Sequence, residues 1–400
     1  MAKTPKIRFK NFSDEWVENK LGNISDITTG KLNANAMKED GKYDFYTSGI
    51  QKYKIDIPAF EGPAITIAGN GATVGYMYLA DGKFNAYQRT YVLLNFKENR
   101  IFLFFEIKNK LSKKIAQEAR AGNIPYIVLD MLTNLEIFTP IAKEQQKIGA
   151  FFSKFDKLIA LHQSKFEKLQ KIKKSCLQNL FPQNNQNTPK IRFTSFSKSW
   201  ETRKFSDTFI FLQNNSLSRA ELSNLDGEII NIHYGDILIK YTEILNIKTN
   251  DLTYILDNSI IKKYQASTLQ NGDIIIADAA EDQTVGKCSE ITGLTNEVVL
   301  SGLHTIPCRP NEKHANGFLG YYMNSNVYHN QLLPLLQGTK VLSISKSALQ
   351  NTDIIYPSNL AEQCKISDFF SKLDKLILLH QSKFEKLQKI KKSCLQNMFV

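Results

Sequence analysis

The chain has 400 residues, 42% hydrophobic and 22% charged, with a net charge of +12. This describes an ordinary soluble protein with enough core for two or three domains. No run approaches about 18 consecutive apolar residues, so no membrane span is expected.

The start, MAKTPKIRFKNF, carries charge but no apolar stretch, and no secretory signal is expected there. The five Cys are odd in number and lack any CxxC, which suits free thiols in a reducing cytoplasm. The motif TPKIRF at Thr4 to Phe9 returns at Thr188 to Phe193, an offset of 184 (188 − 4). At that offset Phe12 meets Phe196, Ser13 meets Ser197, Lys20 meets Lys204, and Trp16 meets Trp200, the chain's other Trp. A fixed-offset repeat bears on architecture before any local assignment does.

In the first half, Ala64 to Ala68, the glycine-bearing stretch Gly69 to Gly75 and Tyr76 to Leu79 read as strand, turn, strand, and Tyr87 to Asn95 as a further strand. Ile101 to Ala121 reads as a helix ending at Gly122. The GxGxxxG of Gly69 to Gly75 is not followed by a helix, which favours a hairpin turn over a dinucleotide loop. There is no GxxxxGK[ST], DPPY or NPPF, and Glu106-Ile-Lys108 has no upstream PD to make a nuclease motif.

Residues 151–181 read FFSKFDKLIALHQSKFEKLQKIKKSCLQNLF and residues 369–399 read FFSKLDKLILLHQSKFEKLQKIKKSCLQNMF. They differ only at Phe155/Leu373, Ala160/Leu378 and Leu180/Met398, at an offset of 218 (369 − 151). Upstream, Glu144-Gln145-x-Lys147-Ile148 matches Glu362-Gln363-x-Lys365-Ile366. Ile148, Phe155, His162, Leu169 and Cys176 recur every seven residues, as do Ile366, Leu373, His380, Leu387 and Cys394. No Gly or Pro interrupts 150–181, and Pro182 stops the first copy. Each copy reads as a helix roughly 55 Å long whose apolar stripe needs a partner.

The obvious partner is the other copy, in an intramolecular antiparallel coiled coil paired through Ile148, Phe155, His162, Leu169, Ile366, Leu373, His380 and Leu387. His162 and His380 would then meet near a pseudo-dyad, and Phe399 would lie near Lys6. A His on such a stripe is more often a satisfied core residue than a metal ligand. Each copy carries seven Lys against one Asp and one Glu, a net +5, which suits either solvated faces or a surface turned to phosphates or to an acidic partner.

In the second half, Gly235 to Lys240, Gly272 to Ala277 and Val298 to Pro307 read as strands, and Gly317 to Leu333 as a helix. Asp278, Glu281 and Asp282 form an acidic knot after a strand, and His304, Cys308 and Cys288 are better explained by packing than by metal binding. The expected architecture is α+β. Residues 1–141 form one globule, 142–181 a long helix, 182–189 a polar linker, 190–358 a second, unlike globule, and 359–400 a second long helix.

Two unlike globules, each followed by a near-identical helix headed by E-Q-x-K-I, resemble the specificity subunit of a type I restriction–modification enzyme over nearly the whole chain. Trp16 and Trp200, Gly272-Asp-Ile-Ile-Ile-Ala-Asp-Ala-Ala-Glu-Asp282, Gln337-Gly-Thr-Lys-Val-Leu-Ser-Ile-Ser345, Arg120-Ala-Gly-Asn-Ile-Pro125 and Pro357 to Gln363 carry the resemblance. One departure is Ile127-Val-Leu-Asp130, which aligns with Leu342-Ser-Ile-Ser345 of the second half. The resemblance implies two target recognition domains, each reading half of a bipartite double-stranded DNA sequence, with the helices as a spacer. It implies no catalytic residue and no cofactor or metal in this chain. Two methyltransferase subunits, and restriction subunits bound through them, would supply S-adenosylmethionine, ATP and Mg chemistry.

Loop residues with flexible donors or amides are the expected DNA contacts. These are Lys31, Asn33, Asn70, Gln88, Arg89, Arg120 and Asn123 in the first globule, and Lys240, Asp278, Lys287, His304, Gln337, Thr339 and Lys340 in the second. Arg and Lys suit guanine and phosphate, Asn and Gln suit adenine, and Asp can accept from cytosine.

Overall fold

The computed structural model describes residues 4–120, 126–183 and 186–400. It divides into two compact units, residues 1–164 with 380–400, and residues 165–379. Each unit therefore holds one globule, the first part of the long helix that follows it, and the last part of the other long helix. The long helices run Ala142–Asn179 and Leu360–Asn397.

The head of each helix explains the E-Q-x-K-I motif residue by residue. In the first unit Glu144, fully buried, accepts from Arg8 Nε and Nη2 at 2.8 Å each. Gln145 donates to the Pro140 carbonyl at 2.8 Å and accepts from the Asn99 N–H at 2.9 Å, Lys147 lies over the Phe12 ring, and Ile148 is buried. In the second unit Glu362 accepts from Arg192 at 2.7 and 2.8 Å, and Gln363 binds the Pro357 carbonyl and the Ala315 N–H at 2.8 and 2.9 Å. Lys365 lies over Phe196, and Ile366 is buried. A paired, hydrogen-bonded carboxylate is the form in which charge tolerates burial.

The far end of each helix is held by the repeated opening motif. The Ile7 N–H donates to the Asn397 carbonyl at 2.9 Å in the first unit, and the Ile191 N–H to the Asn179 carbonyl at 2.9 Å in the second. Phe399 then packs among Trp16, Phe102 and Phe152, with centroids 6.4, 5.5 and 5.5 Å away. Phe181 packs among Trp200, Phe318 and Phe370 at 6.3, 6.0 and 6.0 Å. Phe181, expected as the last helical residue, lies two residues past the helix end and is wholly buried.

Within each unit the paired helix segments run antiparallel. In the first, Phe152 meets Phe399, Asp156 meets Lys391 and His162 meets His380. In the second, Lys173 meets Asp374 and Phe181 meets Phe370. The two His Nδ1 atoms are 2.8 Å apart, so one ring donates and the other accepts. Ile148, Ile366 and Leu373 are buried, whereas Phe155, His162, Leu169, His380 and Leu387 are half-buried.

The first globule carries an antiparallel sheet in the order Asp26–Thr29, Thr90–Leu94, Ala64–Ala68, Met77–Ala80. Every residue of Ala64–Ala68 is buried, because Ile65 and Ile67 face one cluster with helix Arg100–Arg120 while Ala64 faces another with Phe84. A sheet covered on both faces has no polar alternation to show. The second globule repeats this plan in the order Phe209–Phe211, Thr305–Pro310, Ile274–Ala277, Cys288–Thr292, with Ile244–Asn246 added at the edge. Each globule also has a second four-stranded sheet built on a parallel pair, Tyr43–Tyr46 with Lys83–Ala86 in one and Ile229–Ile232 with Val298–Ser301 in the other. Globules expected to be unlike thus share a common core topology.

Three expected elements of the second half are different. Residues 235–240 are not a strand; Tyr234–Ile239 is a short helix, capped by His233 Nδ1 accepting from the Gly235 N–H at 3.2 Å. Asp236 in its first turn is gripped by Arg219 at 3.1 and 3.0 Å, and local capping outweighs β-propensity. Val298 to Pro307 is two strands, Val298–Ser301 and Thr305–Pro310, broken at Gly302 to His304, where His304 has φ +54. The helix expected over 317–333 divides into Phe318–Met323 and Asn326–Leu332. Asn324 at the break accepts from the Cys288 N–H and donates to the Cys288 carbonyl, tying the helix pair to the sheet.

Among the described residues no helix is long and apolar enough to cross a membrane. Glu106 and Lys108 serve different surroundings, which removes any joint role. Glu106 is fully buried with Lys110 Nζ 3.9 Å away, and burial pushes its carboxyl up to about 8 against the opposing pull of Lys110 and the Phe138 backbone. A carboxyl raised in this way is protonated in the folded chain at neutral pH, and the fold loses stability as pH rises from the ordinary value of 4.5 towards 8. Glu106→Gln should therefore match the parent below pH 4.5 and exceed it increasingly up to about pH 8, read by urea melts across that range. Replacing His162 and His380 together by Leu removes donor and acceptor at once, and the melting temperature should hold or rise. A clear fall in the double variant would show that the pair is needed.

Candidate nucleic-acid interface

In the first globule three chain segments are tied together at one end of the sheet. The loop after Ala68 folds back through the Gly75 N–H to the Ala68 carbonyl at 2.7 Å, with Gly75 at φ +80 against Ile115, where a Cβ would collide. This is a hairpin turn. The Gly69 N–H donates to the Arg89 carbonyl at 2.8 Å, and the Ile127 N–H to the Gly69 carbonyl at 2.8 Å. The Tyr91 hydroxyl closes the triangle on the Ile127 carbonyl at 2.9 Å.

These bonds bring Asn70, Gln88 and Arg89 around a cleft of about 200 Å³ that Tyr126 and Thr29 also line. Gln88 and Arg89 are exposed, while Asn70 is half-buried and accepts from Ser48 Oγ at 2.6 Å. Lys31 and Asn33, both exposed, flank Leu32, whose carbonyl accepts from the Gln88 N–H at 2.9 Å. Asn123 and the side chain of Arg120 lie outside the described residues.

The second globule repeats the two backbone bonds of this triangle, and the turn bond beside it, with different residues. The Asp278 N–H donates to the His304 carbonyl at 3.1 Å, the Ile344 N–H to the Asp278 carbonyl at 2.9 Å, and the Gly286 N–H to the Ala277 carbonyl at 2.9 Å. Asp278, His304 and Ile344 thus stand where the first globule has Gly69, Arg89 and Ile127. The alignment of Ile127 with Leu342 is accordingly corrected by two residues, since Ile127 and Ile344 share the backbone bond and the burial.

Asp278 Oδ1 lies 3.2 Å from His304 Nδ1. Burial pushes the Asp278 carboxyl up, while His304 and Lys346 pull it back. His304, in the left-handed region and exposed, stands 5.2 Å from the Tyr234 ring. Gln337, Thr339 and Lys340 lie on an exposed loop closed by paired backbone bonds between Gln337 and Ser343. Leu342–Ser343 pairs with Ala279–Ala280, so this loop adjoins Asp278.

Lys287 is half-buried, and its ammonium donates to the Leu238 carbonyl at 2.9 Å. Burial lowers its pKa, so it buttresses the site more than it faces outward. Lys240 is exposed at the end of the Tyr234–Ile239 helix, over the Tyr241 ring. The aromatic members Tyr126 and Tyr234 were missed, because an isolated Tyr gives no signal until the segments beside it are placed. His233 was missed too; burial and nearby Arg219 lower it to about 4, which keeps it a neutral cap.

The first cleft offers an exposed guanidinium fork and amides, which suit purine edges and phosphates. The second offers a carboxylate paired with an imidazole, which suits an amino-group donor.

The family model described as the type I restriction modification DNA specificity domain matches residues 13–173 and 197–390. The EcoDI type I restriction enzyme specificity subunit of Escherichia coli is 36% identical over 158 residues, 40% of this chain and 34% of that protein. The MjaVIII specificity subunit of Methanocaldococcus jannaschii is 25% identical over 82% of this chain and 76% of its own length. The chain thus spans about a third of the E. coli relative in that match. Among solved structures, the type I S subunit from M. genitalium superposes with a TM-score of 0.64 at 17% identity, over 99% of both chains. A chain from a structure of type I R-M complex assembly and conformational transition gives 0.52 at 14%, over 96% and 97%. These likenesses speak for the fold, and the two family matches cover both halves. The chain belongs to the type I restriction–modification DNA specificity domain family.

Proposed function

We propose that this protein is the non-catalytic, sequence-specific DNA-binding specificity subunit of a type I restriction–modification complex. Each globule reads one half of a bipartite duplex target, and the long helices set the spacing between halves. The observation that carries this reading is one pair of backbone bonds, joining the same three segments, built twice with different side chains. A shared frame fixes how a segment meets DNA, while Arg89 in one copy and Asp278 with His304 in the other select different bases.

The helices also present apolar side chains to solvent, Leu161 and Ile390 in the first unit and Ile172, Leu376, Leu378 and Leu379 in the second. Exposed Leu and Ile on repeated helix faces suit docking of two copies of one methyltransferase subunit. Restriction subunits would join through them, and the partners would bring S-adenosylmethionine, ATP and Mg. Such a complex works on DNA in the cytoplasm.

Arg89→Ala should cost about 1–3 kcal/mol in target binding and relax one position of one half-site, whereas Asp278→Asn should change only the other half-site. The double variant should add the two effects, as distant sites do. Selection from a randomised duplex pool reads all three. A change in both half-sites from either single variant would defeat the division of labour. The purified chain alone should transfer no labelled methyl group to DNA, and should co-purify with a discrete pair of methyltransferase subunits. DNA binding without any partner would leave a stand-alone DNA-binding or coiled-coil scaffold protein as the better description.

A further inference from the structure

In the first unit, helix Arg100–Arg120 and the paired ends of the two long helices enclose a groove of about 950 Å³. Lys108 and Lys113 line it from one side, and Lys391 and Lys392 from the other; Asp156 is the one carboxylate among the described lining residues. Ile159 and Leu395 lie among them. Asn109, also in the lining, has a buried side-chain N–H group with no hydrogen-bond partner among the described residues. Desolvation and the charge of Lys391 push the Lys108 ammonium down from its ordinary value. Four lysines and one carboxylate give the described lining three positive charges in excess (4 − 1).

The second unit shows how the same helical arrangement is neutralised. Lys173 occupies the position of Lys391 and Asp374 that of Asp156, by the offset of 218 (391 − 173 and 374 − 156). There Lys173 is clamped between two carboxylates, Asp374 at 2.7 Å and Glu243 of the globule at 2.8 Å. The Tyr321 hydroxyl completes the cluster on Asp374 at 2.8 Å. In the first unit the globule sets a second lysine, Lys108 of helix Arg100–Arg120, near Lys391, whereas in the second unit it sets a carboxylate, Glu243, from beside the added strand Ile244–Asn246, on Lys173.

We infer that the lysine groove of the first unit is a docking site for an acidic peptide segment of a partner protein, whose carboxylates take the place that Glu243 holds in the second unit. Carboxylate is the chemistry this scaffold already uses against the equivalent lysine. The volume admits several residues, and the aliphatic floor suits a peptide that alternates acidic and apolar side chains. A groove of chain width between helices fits an extended peptide better than the convex backbone of a rigid duplex. Neither the cleft at Arg89 nor the one at Asp278 takes part, so the inference stands apart from DNA reading.

The test is fluorescence polarisation of a labelled octaglutamate peptide with the full-length protein, at low and at physiological salt. Saturable one-to-one binding that weakens with salt is expected. Lys108→Glu should pair with Lys391 as Glu243 pairs with Lys173, reducing peptide affinity at least about tenfold with the melting temperature unchanged or raised. Lys113→Gln with Lys392→Gln should weaken binding by a similar factor and serves if the first variant fails to fold. Exposed Lys262 and Lys263, both changed to Gln, should leave binding unaltered. Absence of octaglutamate binding overturns the inference, as does binding indifferent to the groove variants while they remain folded. Capture of polyphosphate or duplex DNA by these lysines in preference to octaglutamate also overturns it.

Discussion

One phenylalanine at the end of each long helix holds the architecture together. Phe399 fills a socket of Trp16, Phe102 and Phe152, and Phe181 fills the matching socket of Trp200, Phe318 and Phe370. Each socket combines a Trp from the repeated opening motif, a Phe from the globule's helix and a Phe from the head of the following long helix. The filler comes from the other long helix. A buried aromatic cluster of this size dominates local stability, and truncating one such ring typically costs about 3–5 kcal/mol. Neither globule completes its core with its own half of the sequence.

Around each socket the same polar clamps recur, and their differences are informative. The bidentate Arg8–Glu144 and Arg192–Glu362 pairs are nearly identical, yet Trp200 donates to Glu362 at 3.2 Å while the Trp16 indole N–H has no partner among the described residues. The clamp therefore does not depend on the indole bond. What it does require is that Glu144 and Glu362, both buried, keep their guanidinium, because a carboxylate there has no water to turn to. What the two units share lies in packing and in this charge pairing, and they differ in the indole bond, in the added strand Ile244–Asn246 and in the division of the globule's helix.

Much of this plan could be read from the residues alone. The repeats at offsets of 184 and 218 announced paired helices, an antiparallel sense and a meeting of His162 with His380, because apolar periodicity and identity are local signals. The kinship of the two globules was hidden. Ala64–Ala68 and Ile274–Ala277 share a place in the sheet, and Ile65, Ile67 and Ala68 return as Ile274, Ile276 and Ala277, but so short a run is common to any strand buried on both faces and sets no register by itself. The stretch at Gly235 was misread because Gly-Asp followed by a run of aliphatic residues also opens the true strand at Ile274; the deciding cap, His233, and the Arg219 grip lie outside the pattern. Asn70, Gln88 and Arg89 could be nominated by type, but their convergence depends on the backbone bonds of Gly69, which no spacing rule reports.

The interlocked sockets also order events in time. During synthesis the first globule emerges early with its Trp16 pocket open, and Phe399 follows only after the whole of the second unit has been made. Joining such remote parts of the chain requires closing a very long loop, which slows assembly and leaves apolar surface uncovered meanwhile. The second unit carries no comparable delay at Phe181, whose helix precedes its globule. The first globule, though made before the second, is therefore sealed after it.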